Sequence, residues 1–230
     1  MAGDEIEDVV RRTDPDRWLA SRLVGDARDR SDVLTLYAFD SELARAIRVT
    51  SSPLMAQIRL TWWSEALEEI ASGGAVRSHP LAQRLCELVW GRGLPTDLFA
   101  ELIEGRVAVL GMAQLGDEAA LAWADTVAGS AAVLAAMILG AGDLAPAART
   151  AGRLIGLGAL VREGVLARAD LAERLAPMLR EANAAARRLP ASAFPAIAAA
   201  ALARDQLRAS PSSELSRRLR LLWAAARGRL

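Results

Sequence analysis

From Pro53 onward, Leu54, Ile58, Trp62, Ala66 and Ile70 recur at every fourth position, with polar and charged residues among them. That spacing predicts an amphipathic helix, begun by proline at its first position after Ser52 and ended by Gly73-Gly74. Asp14-Pro15 is the same start signal, and Ser31 is expected to cap a helix running to about Val49. Further helices are predicted near 80–90, 96–112, 118–140, 146–167, 169–188, 194–208 and 213–228. Breaks fall at His79-Pro80, Gly93-Leu94-Pro95, Gly140-Ala141-Gly142, Leu189-Pro190 and Ser210-Pro211. No segment alternates apolar and polar residues with β-branched enrichment, so no strand is predicted. No long linker or internal repeat divides the chain. The reading is one all-α bundle of about nine helices over 14–230, with residues 1–13 as an N-terminal tail and 213–230 as a basic amphipathic terminal helix.

Composition narrows the chemistry. The chain has 230 residues, 53% of them hydrophobic, which excludes a disordered protein. Its 28 basic and 28 acidic side chains cancel, which argues against a nucleic-acid partner. One cysteine, Cys86, and one histidine, His79, leave no internal disulfide, Cys-rich zinc site or Cys–His–Asp triad. Cys86 is expected as a small core residue and His79 as a structural turn residue. Every basic residue is arginine, which removes Schiff-base chemistry and the P-loop lysine. Carboxylate, arginine and hydroxyl chemistry remain. The acidic start, MAGDEIEDVV, lacks the apolar core of a secretory signal. The uncharged run between Asp125 and Asp143 reads as a buried helix rather than a membrane span. A cytoplasmic protein, with the inner face of the membrane as a peripheral location, is the expectation.

Five pieces occur in order: DVLTLYAFDSELARAI (Asp32 to Ile47), QIRLTWWSEA (Gln57 to Ala66), LIEGR (Leu102 to Arg106), AWADTVAGSAAVLAAMILG (Ala122 to Gly140) and GRLIGLGALVRE (Gly152 to Glu163). Single words among them are weak; five in order at matching separations resemble the squalene/phytoene synthase family, across residues 16 to 208. The resemblance implies an isoprenoid-synthase fold, in which two aspartate-rich motifs face each other across an apolar cavity. There Mg²⁺ ions, hard cations that take several oxygen ligands, would hold a substrate diphosphate.

The motif positions depart from that pattern. Counting from the tyrosine matched by Tyr37, the first motif's end aspartates fall on Ala44 and Arg48, and its middle acid on Arg45. An arginine frequent four residues after that tyrosine is Ser41. In the second motif, after Val161-Arg162, the two aspartates correspond to Glu163 and Ala167, and the preceding Gln and Asn to Gly156 and Ala159. Only Arg162 and Glu163 remain of that cluster, and the segment after Ala167 reads as shorter than in synthases. No metal ligand or catalytic residue is expected. Asp40, Glu42 to Arg45 and the Arg59 to Trp63 run resemble a branch of the family that lacks the aspartate-rich motifs. That branch includes a phytoene-synthase-like mitochondrial assembly factor for respiratory complex I. The resemblance implies a non-catalytic binding or assembly role, with a respiratory membrane complex as partner. The alternative is an active prenyltransferase with an atypical Mg²⁺ site built from Asp40, Glu42 and Glu163.

Several residues carry two readings. Tyr37, Asp40, Arg45, Arg48, Arg59, Arg162 and Glu163 are candidates for binding a prenyl diphosphate or lipid, the arginines without metal through bidentate forks. Otherwise Arg45, Arg48 and Arg59 form helix-surface ion pairs. Trp62 continues the apolar stripe and reads as core, leaving Trp63 as an interface candidate, with Trp223 a second. Gly129, Gly140, Gly152, Gly156 and Gly158 either leave room for an isoprenoid tail or let helices pack closely. Leu215, Leu219, Leu222, Trp223, Ala226 and Leu230 share a face of the terminal helix. That helix either docks on the bundle through this face or lies on an anionic membrane surface.

Overall fold

The computed structural model describes residues 3–48, 52–207 and 212–230, and among these it is helical throughout, with eleven α-helices and no strand. They are α1 (Gly3–Thr13), α2 (Pro15–Ser21), α3 (Ala27–Arg48), α4 (Pro53–Ala71), α5 (Pro80–Arg92) and α6 (Thr96–Ala108). There follow α7 (Asp117–Trp123), α8 (Ser130–Ile138), α9 (Ala145–Arg162), α10 (Arg168–Ala186) and α11 (Glu214–Arg227). A π-helical segment, Ala124–Gly129, joins α7 to α8 as one rod. Asp117–Ile138 is long and apolar enough to span a bilayer by composition, yet its most apolar stretch is 67% buried within the bundle. It is a core helix, as the sequence suggests.

Start signals behave as their chemistry dictates. Asp14 caps α2, its carboxylate accepting the Arg17 backbone N–H at 3.1 Å. For α3 the capping side chain is Asp26, which accepts from the Arg28 and Asp29 N–H groups. Ser31 therefore sits inside the helix rather than at its start. Residues 3–13, expected as a tail, form α1: Ile6 and Val10 are buried against α3. The expected helix over 194–208 winds instead as 3-10 turns, Phe194–Ala196 and Ala198–Leu207. Its alanines pack against α2, α9, α10 and α11 on all sides. The end of the α3 helix at Val49 and the Ser210-Pro211 break lie outside the described residues.

On α4 the predicted stripe holds in its second half and fails in its first. Leu54 and Ile58 are exposed and Trp62 is half-buried, while Ala66 and Ile70 are buried together with Ala56, Leu60, Trp63 and Leu67. Four residues turn a helix by 400°, so a strict fourfold series drifts by about 40° per step and reaches the core face only toward its end. Alternating three and four holds it. Trp63 is accordingly buried, edge-on to Phe39 at 5.3 Å, and is no interface residue. Trp62 is the half-exposed member, its ring under the Arg77 guanidinium. His79 stands edge-on to both tryptophans at 5.4 and 5.3 Å just before α5, a structural role as expected. Cys86 is half-buried against the core.

The glycines of α9 serve close packing. A Cβ on Gly152 would lie 2.6 Å from the Ala128 carbonyl oxygen, and one on Gly156 2.8 Å from the Ala128 Cβ. This contact presses α9 onto the π-helical segment and narrows the space between them.

Candidate functional site

A cleft of about 130 Å³ opens where α3, α6, the π-helical segment and α9 converge beneath α1 and α2. Its lining unites the positions matched to both motifs: Ala44 and Arg48 from α3 face Gly156, Ala159 and Glu163 at the end of α9. Pockets that enclose a drug-sized ligand run to roughly 300–1,000 Å³, so this cleft is small by that measure.

At its inner end three charges form one unit. Asp40 accepts from Arg17 at 2.5 Å through one oxygen and from Arg106 at 2.6 Å through the other. Asp40, Arg17 and Arg106 are all buried. Arg106 also donates to the Leu102 and Asp40 carbonyls, and Arg17 lies over the Tyr37 ring. Burial alone would raise the Asp40 carboxyl, but Arg106 and then Arg17 outweigh it and hold it below the usual carboxylate range. Tyr37, pushed up to about 12 by burial, supports Arg17 from below and lies outside the cleft lining.

At the mouth, Arg48 pairs with Glu163 at 3.5 Å, both partly exposed. A position matched to the first motif thus bonds directly to one matched to the second. Arg162 pairs with Asp16 of α2, which also bonds Arg217 of α11. Arg45 turns outward, closed on Glu42 by two bonds of 2.8 and 2.7 Å. Arg59 is exposed on α4 and outside the cleft lining. Arg45, Arg48 and Arg59 are therefore not assembled into a cluster; Arg45 and Arg48 each form the ion pair that the other reading allowed.

The backbone turns within the stretch matched to the second motif. α9 stops at Arg162 because Gly164 adopts φ 75°, a left-handed conformation that ends helices. Ala167 then lies exposed before α10 rather than one turn beyond Glu163. Two carboxylates at 163 and 167 would not share a face.

The Mg²⁺ chemistry implied by the resemblance does not fit these donors. A multi-Mg²⁺ site needs several uncommitted oxygens. Asp40 is shared by two arginines, Glu163 is taken by Arg48, and position 44 is alanine. Among the described residues no group of three or more His, Cys, Asp or Glu is placed to hold a metal ion.

Sequence reasoning finds Asp40 but misses Arg17 and Arg106. Arg106 was legible: Phe99, Leu102 and Ile103 are buried on α6, and position 106 continues that stripe one turn on. Asp40 continues Val33, Leu36 and Tyr37 on α3 in the same way. A charge at a core position demands a charged partner, and each is the other's.

The comparisons agree with this geometry. A structure of a dehydrosqualene synthase with bound ligand has a TM-score of 0.75 at 16% identity, covering 98% of this chain and 95% of that one. The squalene synthase HpnC from Alicyclobacillus acidocaldarius has a TM-score of 0.70 at 14% identity, covering 98% and 94%. At such identities the likeness concerns the fold. Its extent shows that the shortening expected after Ala167 removes no layer of that fold. No protein of curated function is significantly similar in sequence. The sequence model of squalene/phytoene synthases matches residues 10–164, two thirds of the length, and the chain belongs to the squalene/phytoene synthase family.

Proposed function

We propose that this chain is a non-catalytic member of its family, a binding or assembly factor that keeps the synthase fold without its chemistry. The observation that carries the reading is the Arg48–Glu163 pair joining the two motif positions, behind which Asp40 is neutralised by Arg17 and Arg106. Ionising a prenyl diphosphate requires metal to draw off the leaving group. Here the oxygens that would hold metal are bonded to guanidinium groups instead. The prenyltransferase alternative needs Asp40, Glu42 and Glu163 free, and each is engaged by an arginine.

The proposed setting is the cytoplasmic face of a membrane, with a respiratory membrane complex as the protein partner. That part rests on the resemblance of the Asp40 to Arg45 and Arg59 to Trp63 stretches to the assembly-factor branch. A thermal-shift titration with farnesyl and geranylgeranyl diphosphate, each with and without Mg²⁺, tests the catalytic half. Ligand binding to the folded state raises the melting temperature by mass action. The reading predicts no Mg²⁺-dependent rise, and such a rise would overturn it. Cross-linked co-purification with respiratory-complex subunits supports the assembly half; capture of none contradicts it.

A further inference from the structure

α11 is mounted inside out. An ordinary surface helix buries its apolar stripe and exposes its charges. Here the residues facing the bundle are Arg217, Arg220, Leu221 and Ala224, and only the last two are fully buried. Arg217 reaches Asp16 of α2, and Arg220 reaches Asp205 of the 3-10 run. Beyond the helix, the Leu230 backbone N–H donates to Asn183 Oδ1 at 2.8 Å, fixing the end to α10. Polar latches therefore set the rotation of α11, and they turn its apolar face to solvent. Leu215 is 67% exposed, Leu219 57%, and Leu222 and Trp223 56% each. At 100° per residue these four and Ala226 fall in one arc, opposite Leu221 and Ala224. Docking through this face, the simpler sequence expectation, is not what the helix does.

We infer that the outward face of α11 is a docking surface for an anionic phospholipid bilayer. Two arguments select this occupant. The first is charge. Residues 213–230 hold five arginines against one acid, Glu214, in a chain that is neutral overall. On the helical wheel Arg218 borders the apolar arc on one side and Arg227 on the other. Arg227 stacks over the Trp223 ring at 3.8 Å, joining a cation to an aromatic that prefers the headgroup level. Arginine forks match lipid phosphates, and a basic rim around an apolar stripe is the pattern of helices lying in a membrane interface. The second is area. Fourteen helical residues span about 21 Å, so a stripe one helix wide offers a few hundred Å². A stable protein interface takes about 800 Å² from each partner, whereas an interfacial helix sinks only its apolar face into the headgroup boundary. A groove of about 370 Å³ beside the helix, where Trp18, Leu23 and Leu222 stand with Arg22, Arg218 and Glu7, adjoins the same surface.

The inference is independent of whether the cleft is catalytic. Its test is co-sedimentation of the full chain with vesicles of phosphatidylcholine, alone or mixed with phosphatidylglycerol. The anionic mixture should raise the bound fraction about tenfold or more, and high salt should reverse this. L219E/W223E should abolish binding while leaving the melting temperature unchanged, because both side chains already face solvent. R227Q/R229Q should weaken binding to the anionic vesicles and leave the residual binding to neutral ones unaltered. Equal binding to both vesicle types would overturn the anionic surface as the occupant, and no binding to either would overturn the membrane altogether. A concentration-dependent dimer that L219E/W223E dissolves would assign the face to a second copy and equally overturn the inference.

Discussion

The inner end of the cleft and its mouth are both closed by arginine–carboxylate pairs, yet they are different physical objects. Inside, Arg17, Asp40 and Arg106 are buried, and every distance across the carboxylate is 2.6 Å or less. At the mouth, Arg48 and Glu163 are partly solvated and sit 3.5 Å apart. A buried charge stripped of its partner is expensive, while a solvated pair contributes little. The inner triad therefore belongs to the structure of the bundle. The outer pair is a light closure over the positions where chemistry would occur. Arginine thus occupies the carboxylates of the cleft at two depths, and only the deeper pairing is costly to break.

The largest expected effect tests the inner end. D40A leaves two guanidinium groups buried without a counter-charge and should destabilise by about 3–5 kcal/mol, read from chemical denaturation. Replacing all three members with apolar residues of similar volume should recover most of that loss. If D40A costs less than about 1 kcal/mol, the triad is solvated and the contrast with the mouth disappears. Next comes the wall of the cleft. G152V should cost about 1–3 kcal/mol by overpacking, since its first added carbon meets the Ala128 carbonyl oxygen at 2.6 Å. A neutral result would mean that space remains between α9 and the π-helical segment.

Acid titration separates the same groups. The Asp40 carboxyl lies below its ordinary 3.8, so its contribution to stability is present above that pH and is lost as pH falls through the lower folded value. Asp16 shows the opposite sign. Burial raises its pKa despite Arg217, so its contribution is full below 3.8 and declines as pH rises through the raised value. D40N should flatten the acid limb of the stability curve, and D16N should remove the decline in stability that sets in above pH 3.8. The smallest effect is at the mouth: R48A and E163A should each change stability by less than about 1 kcal/mol, with a coupling of about 0.2–1 kcal/mol in a double-mutant cycle. A coupling several-fold larger would make the mouth a second structural lock.

Much of this was legible in the residues. Proline at the start of α2, α4 and α5, and glycine where α4 and α5 end, set the helix boundaries, and the five ordered pieces pointed to the fold. Position counting from Tyr37 placed Ala44 and Arg48 at one motif, and they do line the cleft. What sequence could not supply was rotation and pairing. The α4 stripe slipped because fourfold spacing drifts around a helix, exchanging the roles of Trp62 and Trp63. The apolar face of α11 was found correctly, but its direction depends on Asp16 and Asp205, distant residues whose pull on Arg217 and Arg220 no local pattern encodes. Ala167 was misplaced because one glycine, Gly164, ended α9 a turn early.

Phosphorus NMR of farnesyl diphosphate incubated with the protein and Mg²⁺ follows the substrate's leaving group itself. An unchanged diphosphate signal over many hours, with no hydrocarbon product extracted, is the result expected of a site whose carboxylates are spent on arginines. Protein-dependent release of inorganic diphosphate would show that the Arg48–Glu163 pair and the Asp40 triad open to admit metal, and it would contradict the central claim.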